Sequence, residues 1–103
     1  MVTLKVKYLR TFMQASVGLL PAVKAYPVFF KTRFGIHTFF MGFPIDVLIL
    51  NKTNRVVLLK KNLLPFRILI WNPLYNTVIE LPQGTIDSQS IKINDVVKLE
   101  IER

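Results

Sequence analysis

The feature that most constrains this fold is the run Ile45–Leu50, which is apolar at every position except Asp46. A strand with apolar side chains on both faces must be covered on both faces. The polar residues 51–54 that follow predict a turn, and the apolar residues beyond them predict a return strand. We therefore expect a hairpin at the centre of the fold, with Asp46 opposite Leu59.

The rest of the sequence predicts more short strands and no long helix. Residues 11–22 favour a strand to about residue 15 and then an irregular link, although a short helix ended by Gly18 or Pro21 also fits. We expect an all-β fold, a compact single-domain β-sandwich or barrel over residues 1–103, with seven to eight short, mostly antiparallel strands and at most one short helix. The other candidate strands are 2–9, 26–31, 36–41, 66–71, 76–81 and 96–101.

Composition excludes several classes of site. The chain of 103 residues has no cysteine and one histidine, His37, so disulfides, zinc–thiolate sites and multi-histidine metal sites within one chain are excluded. Hydrophobic residues make up 51% of the sequence, but charged residues interrupt every apolar run before it reaches the length of a membrane span. We expect a soluble, cytoplasmic protein without a membrane span or cofactor, as a monomer or homodimer.

Charge is unevenly distributed. Residues 1–79 contain eleven Lys or Arg and one acid, whereas residues 80–103 contain three Lys or Arg and five acids, for a net charge of +8. Basic residues on sheet edges prevent edge-to-edge pairing, and that interpretation needs no ligand. A basic body rich in aromatic residues also allows weak, non-specific binding of single-stranded nucleic acid.

Three motifs carry a family resemblance. They are His37 with Phe39–Met41 and Phe43–Val47, then Ile79–Thr85, then Ile91–Val96. In order and spacing they resemble signatures of the domain of unknown function 192 family, from about residue 36 to residue 99. The resemblance implies a small β-sandwich-like fold and no activity. One departure is that Pro21 follows Gly18–Leu20, where the family usually carries an arginine.

Two carboxylates are the main candidates for chemistry, because each interrupts an apolar strand and a buried carboxylate needs a partner. If Asp46 and Glu80 converge in one cleft, different surroundings could separate their pKa values for acid and base roles, with His37 as a proton shuttle. The alternative is structural: Asp46 pairs with Lys61 or accepts hydrogen bonds from the turn at 42–43, and Glu80 pairs with a basic neighbour.

The sequence therefore supports an uncharacterised binding or accessory module with a cleft near Asp46 and Glu80. Its candidate ligand-binding residues are Phe40, Met41, Asp46 and Glu80, and its partner is an unknown ligand or protein. Catalysis by Asp46, Glu80 and His37 is the alternative, and nucleic-acid binding is the second alternative. No catalytic residue or metal ligand is assigned, because no known catalytic or phosphate-binding motif is present.

Overall fold

The computed structural model describes residues 1–8, 27–33, 35–37 and 43–102. The predicted strand and link at 11–22 lie outside these residues, as do residues 38–41 of the strand predicted at 36–41.

The described residues form eight strands and one short helix. Six strands make one sheet in the order β5-β4-β7-β2-β1-β8, and two make a separate ribbon, β3–β6. The strong alternation of apolar and polar residues in β1 accounts for one buried face and one exposed face. The elements are β1 (Val2–Tyr8), β2 (Val28–Lys31), β3 (Gly35–His37), β4 (Ile45–Leu50), β5 (Val56–Leu63), β6 (Ile68–Ile70), β7 (Thr77–Pro82), α1 (Thr85–Ser88) and β8 (Val97–Glu102).

The six-stranded sheet is curled so that its two edge strands approach each other. Arg55, just before β5, forms an antiparallel bridge with Val96, just before β8. The Val56 N–H donates to the Asp95 carbonyl at 2.9 Å, and the Val97 N–H donates to the Asn54 carbonyl at 2.8 Å. This half-barrel confirms the expected all-β class. Pairing is antiparallel among β5, β4, β7 and β2, and parallel where β1 meets β2 and β8.

Apolar side chains form one core on each face of the sheet, as the two-sided run of β4 predicted. The ribbon face lies under β3 and β6 and includes Val47 and Ile49, together with Trp71. The helix face lies under α1 and includes Leu48 and Leu50, together with Ile86. Every residue of β4 is buried, so β4 lies between two separate cores.

The register predicted for the central hairpin is wrong. Leu59 lies opposite Leu48 rather than Asp46, because Leu50 pairs with Val56 at the turn and the register shifts again between Ile49 and Leu50. A second irregularity lies between Ile45 and Val47. At this second irregularity, Val47 pairs with Lys60 and Ile45 pairs with Leu63, so two β5 residues face the single residue Asp46. An extra residue of this kind is a β-bulge, which bends its strand and re-aims its backbone groups.

We expect Gly35→Ala to destabilise the ribbon selectively. A Cβ on Gly35 would lie 2.5 Å from the carbonyl oxygen of Leu69 in the partner strand, so β3 and β6 would have to separate. Forced overpacking of this kind typically costs about 1–3 kcal/mol. Hydrogen exchange should show faster exchange of the β6 amides.

Gly84→Ala is the matched control for this prediction. Gly84 has a left-handed φ of 88°, and a Cβ added there would meet nothing within 4 Å, so its substitution adds backbone strain without a clash. It should leave exchange in β6 unchanged. Equal protection of the β6 amides in Gly35→Ala and the wild type would show that the close approach is not required.

Candidate functional site

Asp46 joins three elements through backbone hydrogen bonds. Its side chain is 1% exposed. Oδ1 accepts a hydrogen bond from the Asn62 N–H at 3.0 Å, and Oδ2 accepts one from the Ile86 N–H at 2.9 Å. The bulge in β5, where Asn62 has a φ of 55°, presents the first donor. The second is one of the N–H groups that the first turn of a helix leaves unpaired, and the N-cap Gly84 has no side chain to satisfy it.

A surface ion pair lies beside this link and joins the same two elements. Lys61 Nζ lies 2.6 Å from Asp87 Oδ1, and both side chains are largely exposed. Lys61 therefore pairs with Asp87 and not with Asp46, and the donors to Asp46 that the structure describes are the N–H groups of Asn62 and Ile86. Gly42 of the turn at 42–43 lies outside the described residues. Asp46 therefore fits the structural interpretation, with Asn62 and Ile86 as its observed donors.

The surroundings of Glu80 differ from those of Asp46. It lies in β7 between Val28 of β2 and Val47 of β4, and it is 3% exposed. Its Oε1 atom is buried without a hydrogen-bond partner among the described residues, so the expected pairing with a basic neighbour is not observed. Desolvation by burial raises the pKa of Glu80 from 4.5 to about 8, which makes this side chain a neutral carboxylic acid at pH 7.

The two carboxyl groups are not brought together. Asp46 pairs across the β4–β7 ladder with Leu81, and Val47 pairs with Glu80. Paired residues of an antiparallel ladder share a face, and successive residues alternate. Leu81 belongs to the helix-face core and Val47 to the ribbon-face core, so Asp46 and Glu80 lie on opposite faces of one sheet. The hypothesis of a single acid–base cleft that contains both carboxyl groups is therefore wrong.

Of the three remaining candidate residues, the structure describes only His37. The backbone of His37 pairs with Ile68 in the ribbon, and Phe40 and Met41 lie outside the described residues. Their roles in ligand binding stay predictions. In the described part of the chain, no group of three or more His, Asp or Glu residues is placed to hold a metal ion.

Sequence reasoning missed an exposed apolar surface formed by β6 and the segment just before it. Phe66, Ile68 and Ile70 are 70%, 63% and 73% exposed, and we call these three residues the apolar ridge. The sequence predicts the strand at 66–71, but its alternation alone does not distinguish a core-facing side from a bare one. Leu69 packs toward the core, which leaves its two neighbours in β6 facing outward.

A pocket at one end of the sheet was also missed. It has a volume of about 340 Å³ and lies between the turn after β4 and the loop before β7. The sequence of the turn predicts only a connection, because nothing in it indicates the loop that lies opposite. The lining residues are Asn51, Lys52, Thr53, Leu74 and Tyr75.

Comparison with known families confirms the family resemblance of the sequence. The model of the domain of unknown function 192 (DUF192) family, described as an uncharacterised ACR, matches residues 2–99. The chain belongs to the DUF192 family. No curated protein sequence matches it at a significant level.

Two crystal structures share the DUF192 chain's fold. A protein of unknown function from Novosphingobium aromaticivorans DSM 12444 superposes with a TM-score of 0.74 at 18% identity, over 86% of this chain and 70% of that one. A candidate transcription regulator from Sinorhizobium meliloti 1021 gives a TM-score of 0.76 at 18% identity, over 88% and 78%. At this identity the likeness shows the fold alone. In the described residues, no helix is long and apolar enough to cross a membrane.

We expect Asp46→Asn to destabilise the fold by about 1–3 kcal/mol. The substitution replaces one accepting oxygen with an NH₂ group, which faces a backbone N–H and cannot accept from it. Urea unfolding at pH 7 measures the loss. Asp87→Asn, which removes only the exposed ion pair with Lys61, is the control and should cost less than about 1 kcal/mol. Equal stabilities of Asp46→Asn and the wild type would refute the structural role.

Glu80 makes stability depend on pH. Unfolded Glu80 releases its proton near pH 4.5, whereas the folded protein keeps that proton until about pH 8. Between these values the unfolded state binds fewer protons, so this group's contribution to stability falls as pH rises, by at most about 1.4 kcal/mol per pH unit.

Glu80→Gln should remove this dependence, because the amide has the same shape and does not ionise in this range. The stability difference, variant minus wild type, should therefore grow from pH 4.5 to pH 8 and then level off. Chemical denaturation across that range measures it, and the difference cancels contributions from the other acids. A constant difference would show that the folded pKa of Glu80 is not raised.

Proposed function

We propose that this DUF192 domain is a binding module that docks an acidic protein partner on the apolar ridge of β6. The observation that carries the proposal is the exposure of Phe66, Ile68 and Ile70 in a short segment whose neighbour Leu69 already packs on the core. Large apolar side chains exposed close together typically mark an interaction surface.

Backbone strain at the start of the ridge supports the same conclusion. Phe66 has a φ of 62°, a left-handed conformation that costs a bulky residue roughly 1–2 kcal/mol. Its ring is 70% exposed, so packing within this chain compensates little of that cost. A partner that covers the ring would supply the missing contacts.

The charge around the ridge indicates the chemistry of the partner. Arg67 lies in sequence between Phe66 and Ile68. Arg33 lies at the opposite end, because it precedes the Gly35 that pairs with Ile70, and its Nη1 donates to the Pro73 carbonyl at 2.6 Å. Asp46, the only acid in residues 1–79, is buried. The complementary surface is an apolar segment flanked by carboxylates.

The competing functions have less support. Catalysis by the two carboxylates would need them in one cleft, and they lie on opposite faces of the sheet. Nucleic-acid binding would use the same positive charge, but two of the three ridge residues are isoleucines, which leaves Phe66 as the only ridge residue on which a base can stack. Isoleucine loses little rotamer freedom on docking, which suits a protein interface. The cytoplasmic location expected from the sequence stays part of the proposal.

A photo-crosslinking residue at position 68 tests the docking surface, with the same residue at Ile101 of β8 as the matched control. Ile101 is also an exposed isoleucine, at 52%, but it lies on the far edge of the sheet. We expect position 68, and not position 101, to capture a protein. That protein, once purified, should bind the wild-type chain in isothermal titration.

Two double variants then distinguish the contributions of the ridge. Ile68→Ser with Ile70→Ser should weaken binding at least tenfold, because burial of one large aliphatic side chain contributes roughly 1.5–3 kcal/mol. Arg33→Gln with Arg67→Gln should weaken binding and reduce its salt dependence. Unchanged circular dichroism would show that each variant folds. Unchanged affinity in both, equal capture from position 101, or capture only of lipid or of second copies would overturn the proposal.

A further inference from the structure

The pocket at the end of the sheet is formed by two loops distant in sequence. One wall is the turn that follows β4, with Lys52 and Thr53, and the other is the loop before β7, with Leu74 and Tyr75. Its volume of about 340 Å³ is at the small end of the range for ligand sites. It contains none of the three ridge residues, so it is a separate surface.

Both walls are held in place by asparagine side chains. Asn51 Oδ1 accepts hydrogen bonds from the Thr53 N–H at 2.9 Å, the Thr53 hydroxyl at 2.9 Å and the Arg55 N–H at 3.0 Å. In the opposite loop, Asn72 Oδ1 accepts from the Leu74 N–H at 3.0 Å. Walls ordered before binding reduce the entropy lost when a ligand enters.

A second set of hydrogen bonds anchors the Leu74–Tyr75 wall to the core. The Tyr75 N–H donates to the Asn72 carbonyl at 3.0 Å. The Tyr75 carbonyl accepts from the indole Nε1 of Trp71 at 2.8 Å. Because Trp71 belongs to the ribbon-face core, the loop cannot swing away from the pocket without disturbing that core.

The pocket combines one cation with an apolar wall. Among the described residues, Lys52 forms no ion pair, and the ring of Tyr75 packs partly on the ribbon-face core. Leu74 is 72% exposed although its backbone is held. The lining that the structure describes contains no acid to repel an anion.

We infer that this pocket binds a small organic anion with a flat apolar body, an aromatic carboxylate being the simplest case. The anionic group pairs with the Lys52 ammonium, and the ring lies against Leu74 and Tyr75. This inference does not depend on the proposed docking function, because it uses different residues and a different class of ligand.

Phenylacetate titrated into the ¹⁵N-labelled protein tests the inference, with amide chemical shifts as the readout. We expect saturable shifts at residues 51–53 and 74–75 with a Kd on the order of 1 mM, as suits a ligand of so few atoms. Phenylacetamide, which has the same shape without the charge, should bind at least fivefold more weakly. Acetate, which lacks the ring, should not saturate.

Two variants separate the charge from the apolar wall. Lys52→Gln should weaken phenylacetate binding at least fivefold and make acid and amide bind alike, whereas Lys98→Gln on β8 is the matched lysine control and should change nothing. Leu74→Ala should weaken both probes. Equal binding of acid and amide to the wild type, shifts outside the pocket, or no saturable shift would overturn the inference. Tighter binding of N-acetylglycylphenylalanine by tenfold or more would assign the pocket to a peptide terminus instead.

Discussion

The architecture depends on one buried carboxylate that two backbone donors satisfy. Asp46 lies in the most buried strand, where an unpaired charge would be very costly, and its two oxygens bind the bulge of β5 and the first turn of α1. Neither donor belongs to a residue that sequence proximity would suggest, since they lie 16 and 40 positions away. This single side chain links the bend of the edge strand to the first turn of the helix, beside the helix-face core.

Glu80 shows a second way in which the same sheet accommodates an acid. It has no partner for Oε1 among the described residues, and its burial favours the neutral form. The two acids are neighbours on adjacent strands, yet one is stabilised by hydrogen bonds and the other by retention of a proton. The difference follows from the face that each occupies: bulge and helix N–H groups are available on one side, and valines on the other.

Much of the fold could be predicted from the sequence, because apolar alternation and turn residues are local signals. The sequence predicts Ile45–Leu50 with its observed bounds, and the described residues contain one short helix, Thr85–Ser88, in line with the expected limit of one. The partners of Asp46 could not be predicted, because a bulge shifts the register in a way that no local pattern encodes. From the sequence, Asp46 and Glu80 look like partners in one site, because both interrupt apolar strands. Only the pairing of β4 with β7 shows that Glu80 is offset by one residue from the partner of Asp46, which puts the two side chains on opposite faces of the sheet.

The parallel pairing of β1 with β8 has a consequence for how the chain reaches its folded state. Six residue pairs, from Val2 with Val97 to Lys7 with Glu102, join strands separated by about ninety positions. Closing so long a loop is entropically costly, and folding slows when contacts are distant in sequence. On the ribosome, β1 must wait until β8 has been made before that edge can pair. During synthesis the edge of β1 that later pairs with β8 therefore stays exposed. The alternating lysines of β1 disfavour pairing of this edge with other chains.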